Sequence, residues 1–346
     1  MEKRNKIIVF WLMTGALLVF GMVMIGGITR LTHSGLSIVE WKLIMGAIPP
    51  MNELEWKQTF EKYQDFPEYK LINKDFALEE FKSIFWWEYI HRLLGRLIGL
   101  IFLLPFLFFL IKKWLDPPLV KKLSIMFLLG GFQGFLGWYM VKSGLADNPY
   151  VSHYRLAIHL ITATILFGYI LWVALAIWEK DEIPGIDVPA PIRRLSMGLL
   201  AFVLLQIIYG GFVAGLKAGL VYNTFPKMGE EWFPSAITTL EPLLDNFIIG
   251  LAGVQFLHRY FAYMVAILVL WIWMLVRKHK LNRVYMKAFN AVFLVLIIQF
   301  TLGVLTLINS VPISLAVMHQ AMAMILVATI VYWLSLLYPN KSQSFL

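Results

Sequence analysis

Four histidines, His91, His159, His258 and His319, each lie near one end of a separate apolar segment. In each case the residue four positions on is small: Gly95, Ala163, Ala262 and Ala323. In a helix, i and i+4 share a face, so each imidazole stands over a flat patch without a bulky side chain. A planar macrocycle held through its iron needs such a patch, and two facing imidazoles give six-coordinate iron. The pattern is that of histidine-ligated haem rather than of lone hydrogen-bonded histidines. Cysteine is absent, which excludes disulfides, thiolate nucleophiles and cysteine-held iron–sulfur clusters, so any redox chemistry must come from a bound cofactor.

The elements that carry these residues are membrane spans. Of the 346 residues 60% are hydrophobic and 15% charged, and the mean hydropathy is +0.72. Stretches long enough to cross a hydrocarbon layer of about 30 Å cover roughly 7–28, 84–111, 123–141, 155–178, 195–215, 248–276, 288–308 and 314–336. The expectation is an all-α membrane protein with eight transmembrane helices, the second and sixth longer than a crossing needs.

The net charge of +9 does not point to nucleic acid, because the basic residues gather in short connections on alternate sides, an orientation signal. Lys3, Arg4 and Lys6 precede the first span. Lys112, Lys113, Lys121 and Lys122 follow the second, Lys180, Arg193 and Arg194 the fourth, and Arg277, Lys278, Lys280, Arg283 and Lys287 the sixth. Both termini are expected in the cytoplasm. The first apolar run is too long for a signal h-region and has no room before it for a transit peptide, so a bacterial plasma membrane is expected.

An internal repeat organises the spans. At an offset of about 167 residues, Glu88-x-x-His91-Arg92 meets Gln255-x-x-His258-Arg259, and Gln133-x-x-x-Gly137 meets Gln299-x-x-x-Gly303 at nearly the same offset. His159 meets His319 at a slightly smaller one, and Gly26-Gly27-Ile28-Thr29-Arg30 resembles Gly210-Gly211-Phe212-Val213-Ala214. Each half is then a four-helix unit, 1–178 and 195–346, joined by a cytoplasmic linker 179–194 containing Pro184, Gly185, Pro189 and Pro191. Halves with an even number of crossings share one orientation, so the two fused bundles are related by a pseudo-twofold axis along the membrane normal. All four ligands then fall in the outer part of the bilayer, with pairing inside each half the simpler arrangement and pairing across halves left open.

The halves differ at one position. Glu88 lies one turn before His91, whereas its counterpart is the neutral Gln255. An acid at the membrane boundary is expensive unless it works or pairs, and there it can exchange a proton beside a haem edge. The first half reads as catalytic and the second as an electron-transfer station; an ion pair of Glu88 with Arg92 or Arg96 is the plainer alternative. Arg92 and Arg259 suit haem propionates, with interfacial snorkelling as the competing account. Gln133 and Gln299 read as structural. The connection 29–83, with Trp41, Trp56 and Pro49-Pro50, is expected to cover the first-half site, while His33, His153 and His279 read as solvated loop residues.

Together with Gly26-Gly27-x-Thr29-Arg30-Leu31-Thr32-x-Ser34-Gly35-Leu36-Ser37 and Phe132-Gln133-Gly134-x-x-Gly137, these landmarks resemble the haem A synthase family over nearly the whole chain. The resemblance implies oxidation of the C8 methyl of haem O to a formyl group, by two hydroxylations and loss of water from a geminal diol. It implies that His91 and His159 flank the substrate haem O and product haem A, near Glu88, while His258 and His319 hold a b-type haem. It further implies an electron acceptor and a neighbouring haem O synthase, the farnesyltransferase that makes the substrate. Some members carry a cysteine pair in the first outer connection; this chain resembles the cysteine-free subgroup. Two rival readings are a di-haem membrane cytochrome b that relays electrons and a haem transporter built from parallel repeats. Small residues on lipid-facing helices permit a homo-oligomer.

Overall fold

The computed structural model describes residues 2–39, 48–144, 150–178 and 188–338. Among these, eight helices are long and apolar enough to cross a membrane: α1 (Lys3–Leu31), α4 (Leu78–Ile111), α5 (Pro117–Gly144), α6 (His153–Trp178), α7 (Ala190–Gly215), α9 (Leu251–Lys278), α10 (Arg283–Ile308) and α11 (Ile313–Leu337). Three shorter helices lie in the connections, α2 (Glu53–Gln64) and α3 (Pro67–Leu71) before α4, and α8 (Asp245–Ile248) before α9. Large apolar side chains such as Phe10, Leu17, Leu128 and Ile267 are exposed, as a lipid-facing surface requires.

Two expected boundaries move. The sixth span does not begin at 248, because the apolar run through Ile248 and Ile249 is interrupted at Gly250, the extended N-cap of α9. Asn246 folds back there: a Cβ at Gly250 would stand 2.6 Å from its carbonyl oxygen, and one at Gly253 only 2.1 Å from it. The expected linker 179–194 also shortens, since α7 starts at Ala190 with Pro191 in its first turn, where a missing N–H costs nothing. Trp41 and residues 179–187, with Lys180, Pro184 and Gly185, lie outside the described residues.

Helix ends repeat along with the sequence. Two residues beyond the ends of α1 and α7, His33 and Lys217 are both left-handed with φ of 53° and 56°, and two beyond α4 and α9 stand Lys113 and Lys280, with φ of 55° and 49°. Non-glycine residues rarely adopt this conformation. The amides that follow reach back to close the last turn, Ser34 N–H to Thr29 O at 2.8 Å, Trp114 to Phe109 at 3.0 Å and Leu281 to Val276 at 3.4 Å, which satisfies carbonyls a helix end leaves open. The pairs His33/Lys217 and Lys113/Lys280 fall at the offsets of the flanking repeat landmarks, so each half ends these helices at the same point.

The chain divides into two compact units, Gly21–His159 and Met1–Phe20 with Leu160–Leu346. In the first, α2 and α3 form a cap on the opening turns of α4. Tyr63, Phe81, Ile84, Phe85 and Tyr89 are buried together, with Trp56, Phe60 and Tyr69 against them, and Trp56 meets Phe85 edge-on at 4.9 Å. Asn52 caps α2 by accepting the Glu55 N–H. In the second unit Trp333 of α11 is fully buried, 4.9 Å from Phe289 of α10, and its indole N–H donates to Ser196 of α7 at 2.8 Å.

Candidate functional site

Each imidazole rests on a glycine of the preceding long helix. A Cβ at Gly26 of α1 would lie 3.4 Å from His91 Nε2, and one at Gly137 of α5 would lie 3.9 Å from His159 Cε1. In the other unit the distances are 3.3 Å from Gly210 of α7 to His258 Cε1 and 2.8 Å from Gly303 of α10 to His319 Cε1. The glycines let helix backbone and ring edge approach closely, so the small residue at i+4 is only part of the flat seat. All four histidines are half-buried. His91 and His159 belong to one unit, and His258 and His319 to the other. Each unit thus holds two of the four histidines, each on its own glycine seat.

Among the described residues no group of three or more His, Cys, Asp or Glu side chains is placed to hold a bare metal ion. A porphyrin supplies four nitrogens of its own and asks the protein only for axial ligands, which suits paired histidines.

The surroundings of the two pairs differ. In the second unit, Gln206 Nε2 lies 3.2 Å from His258 Nδ1 and donates to the His258 carbonyl at 2.9 Å. The Gln299 carbonyl accepts from His319 Nδ1 at 3.2 Å, while the Gln299 amide nitrogen is 3.5 Å from His319 Nε2. A carbonyl can only accept, so Nδ1 carries the proton, and Nε2, which the Gln299 amide faces, is the unprotonated nitrogen. In the first unit the position matching Gln206 is Met22, whose methyl lies 3.3 Å from where a Gly95 Cβ would stand.

Glu88 is buried, at 2% exposure, and is held on both oxygens. Oε2 accepts from Ser37 Oγ at 2.7 Å and from the Ile38 amide at 2.8 Å, and Oε1 accepts from Arg92 Nη2. Arg92 also donates to the Ile38 carbonyl at 2.8 Å. One residue of the α1–α2 connection is thus gripped through its N–H by Glu88 and through its C=O by Arg92. The second unit grips Tyr222 instead: Gln255 Nε2 donates to its carbonyl at 3.0 Å and Arg259 Nη2 donates to the same oxygen at 2.7 Å. Arg259 Nη1 further binds the carbonyls of Thr224 at 2.7 Å and Lys227 at 3.1 Å. Tyr222 is offset from Ile38 as Gly210 is from Gly26, so the same repeat position is held in both units.

Three residues at these sites are missed by inspection of the sequence. Gln206 belongs to a Gln-x-x-x-Gly spacing shared with Gln133–Gly137 and Gln299–Gly303, which is a signal that could have found it. Tyr222 leaves no such signal, and Ser37 stands in the Gly26–Ser37 stretch without any sign of its contact, since the partners of both lie on another helix. His153, expected in solvent, is the first residue of α6, buried, and stacks on Tyr154 with ring centroids 3.9 Å apart. His33 and His279 are exposed, as expected.

The chain resembles known proteins over nearly its whole length. The chain is 50% identical to a protein named heme A synthase from Flavobacterium psychrophilum, over 96% of this chain and 98% of the relative. It is 46% identical to one so named from Flavobacterium johnsoniae, over 96% and 98%, and 48% identical to one from Nitrosospira multiformis, over 93% and 91%. With its eight apolar helices it is a multi-pass membrane protein. The family model described as COX15-CtaA, cytochrome oxidase assembly protein, matches residues 9–331, and the chain belongs to that family.

Proposed function

We propose that this protein is a haem A synthase, an oxidoreductase that converts the C8 methyl of haem O to a formyl group by successive hydroxylations, giving haem A for terminal oxidases. The observation that carries this reading is the pairing of two equivalent histidine seats, of which one has a buried carboxylate a turn away and the other an amide. The relatives named heme A synthase support the substrate assignment.

In this reading His91 and His159 flank haem O and later haem A, and Glu88 is the catalytic carboxylate that receives a proton as the methyl group is oxidised. His258 and His319 hold haem b. The second seat fits that cofactor: the rings lie on glycine, His319 keeps its Nε2 lone pair, and Arg259 Nε is a buried donor without a hydrogen-bond partner that a propionate would satisfy. A haem bound there supplies a one-electron redox station. Arg92 serves a propionate of the substrate, sharing its guanidinium with Glu88 and Ile38. The four-helix halves are 1–178 and 190–346, with α7 opening the second, the membrane is the bacterial plasma membrane, and both termini are cytoplasmic. An electron acceptor and a haem O-producing farnesyltransferase are the partners this activity calls for. With no cysteine in the chain, the reaction proceeds without thiols.

The test is to purify the protein from a host that makes haem O, extract its haems and identify them by chromatography and mass. Haem A beside haems O and B, with His91→Ala abolishing haem A, is expected. Haem B alone, with haem O supplied, would instead make the protein an electron-carrying cytochrome.

A further inference from the structure

The two gripped connections allow a controlled comparison, because helix position, arginine and held residue are all matched. Glu88 matches Gln255, Arg92 matches Arg259, and Ile38 matches Tyr222. The residue before the held one differs: Ser37 in the first unit and Val221 in the second. The hydroxyl is present where the carboxylate is present, and where the carboxylate becomes an amide the hydroxyl becomes an isopropyl group. The amide oxygen of Gln255 is correspondingly buried with no hydrogen-bond partner, whereas Glu88 Oε2 takes two donors.

Ser37 is buried at 1% exposure, and its single hydroxyl proton has three acceptors in reach. These are Glu88 Oε2 at 2.7 Å, the Ser34 carbonyl at 3.0 Å and the Ile84 carbonyl at 3.4 Å. The Glu88 oxygen is the nearest, and it is the charged one, so the bond to it is the strongest of the three. Arg92 draws the other carboxylate oxygen toward the Ile38 carbonyl. Without Ser37, Oε2 keeps only the Ile38 amide, and the carboxylate can swing about that contact.

We propose that Ser37 is a positioning residue of the first site, fixing through its hydroxyl the direction in which the Glu88 carboxylate presents itself to the substrate. The proposal rests on the haem A synthase reading for its consequence, and on the Ser37–Glu88 contact for its geometry. Aligned catalytic groups lose rate steeply when displaced by a fraction of an ångström, so Ser37 acts on turnover rather than on binding.

The experiment uses the full-length protein in detergent or nanodiscs, with Ser37→Ala, Ser37→Thr and Glu88→Gln, and Val221→Ala as control. The carboxylate infrared band that disappears in Glu88→Gln is expected to shift in Ser37→Ala and to stay in place in Ser37→Thr and Val221→Ala. Conversion of haem O should fall about tenfold in kcat in Ser37→Ala, an effect typical of misplacing a catalytic group, with KM and bound haem b unchanged, and Ser37→Thr should restore most of it. An unmoved band, or wild-type kcat in Ser37→Ala, overturns the proposal. If Ser37→Ala fails to fold, Ser37→Thr carries the test: a turnover loss as large as that of Glu88→Gln overturns the assignment, and near wild-type turnover with an unmoved band upholds it. Absence of haem A from the wild-type protein while the band still shifts would count against the functional reading and not against the Ser37 contact.

Discussion

The connection held at Ile38 and the connection held at Tyr222 are solutions to the same local problem, built on the same repeat. At Ile38 the grip uses a carboxylate, a hydroxyl, an amide N–H and an arginine. At Tyr222 it uses an amide side chain and an arginine whose charge is spread over three carbonyls. The second grip contains no acid and only ties its connection to α9. The first likewise ties its connection to α4 and keeps a buried negative charge one turn from His91, although burying charge is costly unless it is paired. That cost is kept in only one of two duplicated sites, which is what the proposed use of the charge there requires.

The comparison can be sharpened by disturbing each site alone. The largest effect is expected at Gly303, where a Cβ would come within 2.8 Å of His319. Gly303→Ala should displace the ring and abolish haem binding at the second pair, whereas Gly137→Ala, with 3.9 Å to His159, should keep its site. Haem per protein, from the pyridine haemochrome, measures both.

Arg259→Lys should come next. One ammonium cannot reproduce a fork reaching Tyr222, Thr224 and Lys227, and the loss of charge-assisted bonds worth about 1.5–3 kcal/mol each, partly compensated, is expected to cost about 3 kcal/mol. Limited proteolysis between Leu216 and Gly250 should speed up, with the α1–α4 connection unaffected.

A smaller, pH-dependent effect is expected in the cap. Glu68 is buried, accepts from the Tyr63 hydroxyl at 3.2 Å, and burial together with the nearby Glu88 charge pushes its carboxyl up to about 8. Asn73 donates to that same hydroxyl at 2.8 Å. The folded cap therefore binds a proton that the unfolded segment releases near 4.5. Its contribution is fully present below that value and lost as pH rises to about 8. Hydrogen exchange of α2 and α3 should speed up over this window, and Glu68→Gln should flatten the dependence.

The helices, and the histidines that stand on them, were legible because their signals are local. Apolar runs and i, i+4 spacing are written along one helix, and the repeat showed which landmarks correspond. The sixth span was overread because Ile248 and Ile249 prolong an apolar run that a tight Asn246–Gly250 turn interrupts. The glycine seats were visible as repeated residues, but not as the surfaces on which the rings lie, since that depends on which helix packs against which. Tyr222 was not legible, and Ser37 was legible as the end of the Gly26–Ser37 stretch but not as the partner of Glu88. Their partners lie tens of residues away, and Tyr222 is held through its backbone, which carries no side-chain signature. The ion pair of Glu88 with Arg92, the plainer alternative in the sequence, is present, and the proposed catalytic role has to operate from within that pair.

The central claim is that the first site oxidises and the second serves it, and the most direct test is haem O conversion by Glu88→Gln and Gln255→Ala measured side by side, with bound haem quantified in each. The account predicts that Glu88→Gln retains its haem and loses haem A formation by about 100-fold or more, the scale of lost acid–base catalysis, while Gln255→Ala still forms haem A. Normal haem A formation by Glu88→Gln, or its loss only in Gln255→Ala, would contradict it.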